Sequence, residues 1–244
     1  AMLSSIGYNG FEEAGNKLLA YIEQPLYDAA ELQGLSVNVG VEYAIEAVPE
    51  QNWNALWESN FSPVVIDGLC TIRADFHNID VTTPYDILIT PKMSFGTGHH
   101  ATTQLVMQMM SEQDMKGASV LDFGTGTGVL AILAELMGAT VIMAIDNDDW
   151  CVENAGENVM RNDCKRISVL KGSLEESGSG KWDYILANIN RHILLEHMRS
   201  FYDKLHDKGR ILMSGLLAED EPIIVDAATA NGLIFREVKK QGNW

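Results

Sequence analysis

The chain has 244 residues, with 34 acidic against 17 basic side chains, a formal net charge of −17 and 46% apolar residues. An excess of acid this large repels nucleic acid and favours cationic partners such as lysine-rich protein surfaces, so direct polynucleotide binding is not expected. Three cysteines, Cys70, Cys151 and Cys164, fit neither a disulfide framework nor a zinc site and read as reduced thiols of a cytoplasmic protein, and no apolar run reaches the roughly eighteen residues that span a bilayer.

The first 48 residues read as a small α+β unit. "FEEAGNKLLAYIEQP" (11–25) mixes strand and helix spacing, "LYDAAELQGL" (26–35) is helical, and "SVNVGVEYAIEAV" (36–48) alternates as a strand does. In "PEQNWNALWESNF" (49–61), Pro49 sits at a helix start and Trp53, Leu56 and Trp57 share a face, which predicts a linker helix. Two strands are expected between 62 and 90, in "VVIDGLCTIRADF" and "YDILITP". From there helices and apolar strands alternate: helix 101–112, strand 119–123, helix 128–138, strand 140–146, helix 149–162, strands 166–171 and 182–187, helix 191–205, strand 209–214, helix 219–231 and strand 233–239. Strands such as "SVLDF", "TVIMAID" and "WDYILAN" are almost wholly apolar, as when helices cover both faces of a parallel sheet. The expectation is a doubly wound α/β domain over 62–244, behind the smaller front domain.

Ligands of such sheets bind at the carboxyl ends of the strands, where strand order reverses. Gly124, Gly126 and Gly128 follow the first strand of the alternating unit directly and precede an apolar helix. Glycine permits the sharp turn and a close backbone approach, and a helix start offers free N–H groups. Asp146 ends the next strand, 22 residues after Gly124, where a carboxylate can accept both hydroxyls of a ribose. The spacing is G-x-G-x-G, with Val129 where a dinucleotide fingerprint has its third glycine, so the pattern suits a nucleoside ligand with a carboxylate and no pyrophosphate, as in S-adenosylmethionine. Asn188, at the tip of "WDYILAN", can accept a hydrogen bond from a substrate amine; as an alternative it caps the helix that follows.

Taken in order and spacing, "FGTGHHATT", "LDFGTGTGVLAI", "AIDND" and "ANIN" resemble the ribosomal protein L11 methyltransferase family (PrmA), whose members methylate lysines and the amino terminus of that large-subunit protein. The resemblance is strong over 49–244, while the first 48 residues match only in size and expected fold. It implies a class I, Rossmann-like methyltransferase sheet, S-adenosylmethionine as cofactor, a cationic ribosomal-protein substrate and a front domain that recognises it. It also places Thr103, Gly124, Asp146 and Asn188 where the family binds the cofactor. Two departures stand out: Thr125 occupies a position where cysteine is common, and both ends are expected to be incomplete, because the front domain lacks an opening strand and the chain stops at "QGNW" where the family continues into a last strand.

On this reading the loop bearing Phe95, Gly96, Thr97 and Gly98 folds over the methionine end of the cofactor. Phe95 covers the sulfonium or adenine, and Thr102 and Thr103 offer hydroxyls near the carboxylate at a helix start. His99 and His100 are adjacent and point apart with no third ligand in sight, so a metal is not expected. Catalysis is expected to be alignment of amine, methyl and sulfur, with Asn188 holding the nitrogen, in a monomeric enzyme. A nicotinamide dehydrogenase lacks the spacing it needs here; a methyltransferase for another protein or a small amine stays open; a module that has lost activity is disfavoured by the presence of all the site residues.

Overall fold

The computed structural model describes residues 2–15, 17–47, 61–92 and 95–244. The chain divides into two compact units, Ala1–Trp53 and Asn54–Trp244. The linker helix expected over 49–61, with Trp53, Leu56 and Trp57, falls on residues outside those described, apart from Phe61.

In the front unit, β1 (Gly10–Ala14) and β2 (Lys17–Tyr21) form an antiparallel hairpin in the register Gly10↔Tyr21 to Ala14↔Lys17. Helix α1 (Ala29–Val39) starts at Asp28, whose carboxylate accepts the N–H groups of Ala30 at 2.7 Å and Glu31 at 3.1 Å. The strand expected over 36–48 does not form. Residues 36–39 continue the helix to Gly40, whose φ of +69° ends it with an N–H bond to the Ser36 carbonyl at 2.9 Å, and 41–47 lie in no strand. The glycine stop was the stronger local signal than four residues of alternation.

The second unit opens with β3 (Val64–Ile66) and β4 (Cys70–Arg73), an antiparallel pair, and β5 (Tyr85–Leu88), parallel to β4. Three strands thus stand where two were expected, because Gly68, at φ +69°, turns the first apolar run back on itself. There follow α2 (Ala101–Ser111), β6 (Ser119–Phe123), α3 (Val129–Leu136), β7 (Val141–Asp146), α4 (Asp149–Arg161), β8 (Ile167–Lys171), β9 (Trp182–Asn188), α5 (Arg191–Asp203), β10 (Leu205–Ser214) and α6 (Glu221–Ala230). Strands β6 to β10 make one parallel sheet in the order β10-β9-β6-β7-β8. The chain walks outward from β6 through β8, then returns to lay β9 on the other side of β6, so strand order reverses between β6 and β9.

Both faces of this sheet are covered, which explains its apolar strands. Val120, Ile142, Ala144 and Leu186 point into a core shared with α2, α3, α4 and the three-stranded sheet. Their neighbours Leu121, Ile145, Ile185 and Ala187 point the other way, onto Leu194, Met198 and Phe201 of α5 and Ile224 of α6. Period-two alternation therefore separates two apolar cores rather than core from solvent.

The strand expected over 233–239 is absent: the segment follows α6 without regular structure, and Ile234, Phe235 and Val238 are exposed. β10 stays the edge of the sheet, and a space of about 950 Å³, bounded by Ile211, Met213, Leu233 and Val238, lies along it. A strand needs a hydrogen-bonding neighbour about 4.8 Å away, and this segment has none. Among the described residues no helix is long and apolar enough to cross a membrane.

Candidate functional site

The site grows from the register of the parallel sheet. Phe123 is paired with Ile145 on one side and Ala187 on the other, so the next residues, Gly124, Asp146 and Asn188, stand level on three adjacent strands. Asn188 is itself level with Ser214 of β10. These tips are the carboxyl ends beside the reversal of strand order, where such sheets place their ligands.

Gly124, Gly126 and Gly128 all have positive φ, at +75°, +55° and +81°. Such angles are strained for residues with a Cβ. The N–H groups of Gly124 and Thr125 both donate to the Ile145 carbonyl, at 2.8 and 3.0 Å, which carries the turn across the tip of β7. Gly126 donates its N–H to Asp146 Oδ2 at 2.9 Å, and Asp148 donates to Oδ1 at 3.1 Å. Each Asp146 oxygen thus keeps a lone pair for a further donor, while the two backbone bonds hold the carboxylate in place.

The loop bearing Phe95 to Gly98 packs directly against this turn. A Cβ on Gly126 would fall 2.3 Å from the Phe95 carbonyl oxygen, and one on Gly96 2.8 Å from Thr127 Oγ1, so only glycine lets the two backbones meet. Thr127 joins them: its N–H donates to the Phe95 carbonyl at 3.0 Å and its hydroxyl to the Gly96 carbonyl at 2.7 Å. Gly98, at φ +87°, faces Ile72, and its carbonyl accepts from Gln104 Nε2 at 3.0 Å. The Phe95 ring is half exposed and leans on His100, with centroids 5.3 Å apart.

The two histidines go separate ways. His99 lies 2.8 Å through Nε2 from the Ser62 carbonyl, which makes that nitrogen the donor, and 3.1 Å through Nδ1 from the Thr97 hydroxyl. His100 caps α2: its Nδ1 faces the Thr102 N–H and hydroxyl, at 3.3 and 2.7 Å, and its ring meets Trp244 edge-on at 4.6 Å. The Thr102 hydroxyl, expected near the cofactor carboxylate, is therefore engaged by His100, because the side chain at the cap position is the nearest partner. Thr103, also buried, turns instead to the strand tips. Its Oγ1 accepts from Asn188 Nδ2 at 3.2 Å. That bond leaves Asn188 Oδ1 buried with no hydrogen-bond partner. The helix-cap alternative for Asn188 does not hold, since the cap of α5 is Asn190.

Sequence reasoning passed over two residues of this framework. Thr127 reads as a spacer among the glycines yet is fully buried and joins the loop to the turn. Asp122, on β6, lies beneath the turn, with Oδ2 accepting the Thr125 hydroxyl at 2.5 Å and Oδ1 unpaired. Burial pushes its carboxyl up to about 7, opposed by the Thr125 bond and the backbone N–H of Ala131 and aided by the nearby Asp146 charge. The hydroxyl of Thr125 gives it this second role beyond its backbone contact. Among the described residues no group of three or more His, Cys, Asp or Glu is arranged to hold a metal ion.

Comparison with known proteins points to one family. The family model described as ribosomal protein L11 methyltransferase (PrmA) matches residues 10–244, which extends the likeness into the front unit. The ribosomal protein L11 methyltransferase of Porphyromonas gingivalis is 41% identical over 251 aligned positions, covering 100% of this chain and 87% of its own length. That of Phocaeicola vulgatus is 40% identical, covering 100% and 89%. Among solved structures, the ribosomal protein L11 methylase of Lactobacillus delbrueckii subsp. bulgaricus superposes with a TM-score of 0.71 at 30% identity, over 75% of this chain and 95% of that one.

Proposed function

The chain belongs to the ribosomal protein L11 methyltransferase family, and from that premise we propose that it transfers methyl groups from S-adenosylmethionine to lysine side chains and the N-terminal amine of ribosomal protein L11, acting as a cytoplasmic monomer. The cofactor cleft lies in residues 62–244, and residues 1–48 recognise the substrate. The net charge of −17 suits a cationic protein surface.

The residues present fit the cofactor. At the glycine turn a Cβ on Gly124, Gly126 or Gly128 would meet Ile189, the Phe95 carbonyl or Ala155, so glycine holds this tight backbone at the strand tip; Asp146 keeps acceptor capacity for ribose hydroxyls, and Gly96 and Gly98 let the loop lie close. Thr103, Gly124, Asp146 and Asn188 would hold it, with Phe95, Gly96, Thr97, Gly98, Gly126 and Gly128 shaping its surroundings and Thr102 securing the helix start behind them. Bound there, S-adenosylmethionine supplies an electrophilic methyl group on a cationic sulfonium.

The observation that carries the reading is Asn188 Oδ1, a buried acceptor without a partner on the strand next to the glycine turn. An orphaned acceptor of this kind costs about 1–3 kcal/mol, and an N–H of a substrate amine would relieve it. Thr103 fixes which way the amide faces, so the oxygen and not the nitrogen is left for the substrate. A lysine amine has a pKa near 10.4, and neutralising it at pH 7.5 costs about 4 kcal/mol. Desolvation in the cleft lowers that cost, after which Asn188 aligns the nitrogen and water removes the proton.

Two measurements test this. Isothermal titration with S-adenosylmethionine should show one site, with NADH giving no heat; the reverse result would establish a dehydrogenase. Mass spectrometry of L11 incubated with enzyme and cofactor should show methyl groups on lysines and the N-terminus, and Asn188→Ala should lower kcat about 10²-fold. Full turnover by Asn188→Ala with normal cofactor affinity refutes the role given to this side chain, and methylation of other proteins in preference to L11 refutes the substrate.

A further inference from the structure

Helix α4 carries asparagine at 154, 158 and 162, every fourth residue and so along one face, the last standing at its C-terminal cap. Asn154 and Asn158 are fully buried. The stripe acts toward the end of β5 and the segment after it as a neighbouring strand would. Asn162 Nδ2 donates to the Leu88 carbonyl at 2.7 Å and its Oδ1 accepts the Leu88 N–H at 2.9 Å. Asn158 Oδ1 accepts the Thr90 N–H at 2.8 Å, and Asn154 Nδ2 donates to the Thr90 carbonyl at 3.2 Å. This supplies backbone groups that have no strand beside them.

Asn158 differs from the others in its second bond. Its Nδ2 donates to the Thr127 carbonyl at 2.9 Å. Thr127 is the residue whose N–H and hydroxyl hold Phe95 and Gly96, so one side chain grips both the stem of the loop, at Thr90, and the glycine turn, at Thr127. Asn162 makes the same kind of strand-like bonds but does not reach Thr127.

We infer that Asn158 is a positioning residue for the cleft: by bonding Thr90 and Thr127 at once it sets the distance between the loop stem and the glycine turn, and hence the width of the space that receives the cofactor. The inference rests on the assignment of that cleft to S-adenosylmethionine. Asn158 does not touch the reacting atoms. It acts through Thr127, so its loss is felt in cofactor affinity rather than in the rate of the bound complex.

The full chain and its Asn158→Ala and Asn162→Ala variants should be titrated calorimetrically with S-adenosylmethionine, with melting temperatures and steady-state kinetics recorded for each. Asn158→Ala should raise Kd and the cofactor KM about tenfold or more, with kcat at saturating cofactor within about threefold. Asn162→Ala should lose comparable thermal stability with Kd within about twofold of the parent. Should Asn158→Ala not fold, Asn158→Asp keeps the size and the acceptor, lacks the donor to Thr127, and should show the same weakening. If the Asn158 variants bind the cofactor as tightly as Asn162→Ala, the inference falls while the functional assignment stands. If the parent chain does not bind the cofactor at all, both fall.

Discussion

Leu18 and Leu133 have the same side chain, yet Leu18 on the front hairpin is 55% exposed and Leu133 on α3 is fully enclosed. The contrast runs through both units. Among the described residues of the front unit only Tyr8 and Leu32 count as buried apolar side chains, whereas the second unit packs an apolar core on each face of its parallel sheet. A two-stranded hairpin with one helix cannot enclose much, and a five-stranded sheet layered by helices can. The charge is uneven too, since residues 1–53 carry eight acidic side chains against Lys17 as their one basic residue. The chemistry proposed here therefore sits where packing over-determines each residue, and the recognition proposed for the front unit sits where apolar and acidic groups remain outward.

The largest test of the contrast is truncation. Leu133→Ala should cost about 2–5 kcal/mol in urea unfolding, and Leu18→Ala less than about 0.5 kcal/mol. Equal losses would break the comparison. Next comes Asp122, whose carboxyl sits at about 7 in the fold. Because the folded value lies above the unfolded one near 3.9, the folded protein holds the proton more tightly, and stability should fall as pH rises from about 4 to 7 and then level off. Asp122→Asn should abolish this contribution, on the order of 3 kcal/mol across that window, while Glu13→Gln on the exposed hairpin should leave the shape of the curve unchanged.

A smaller effect separates two glycines. Gly15 at φ +64° has open space where a Cβ would go, and Gly126 at +55° has the Phe95 carbonyl there. Gly15→Ala should cost only the backbone strain of about 1–2 kcal/mol with cofactor affinity unchanged; Gly126→Ala should lift the loop and weaken cofactor binding as well. The smallest effect is ionic. Raising salt from about 50 to 500 mM should increase the KM for L11 several-fold and leave cofactor affinity within about twofold, because screening acts on exposed charge and not on a cleft of backbone contacts.

The same unevenness governs how much could be read in advance. Strands β6, β7 and β9 were legible to within a residue or so, because apolar runs bounded by glycine, aspartate and asparagine leave little choice of period. In the front unit, 36–39 alternates but continues a helix, and near the chain end the apolar run opening 233–239 reads as a strand but lacks a neighbour. Gly124, Asp146 and Asn188 were visible because strand tips announce themselves locally. Thr127 and Asp122 were not, since a threonine between glycines and an aspartate inside an apolar strand gain meaning only from what surrounds them.

By itself the sequence determined the order of strands and helices from residue 101 to 231, the turn that only glycine can make, and the residues that end each central strand; these follow from side-chain period and allowed backbone angles, which act over a few positions. The tertiary structure alone decided that Thr102 serves His100 while Thr103 serves Asn188, that Asn158 grips Thr90 and Thr127 from positions 68 and 31 residues away, and that Asp122 is buried enough to hold its proton near neutrality. Each depends on which polar groups are brought together when water is excluded, and that pairing is settled by packing across the whole sheet.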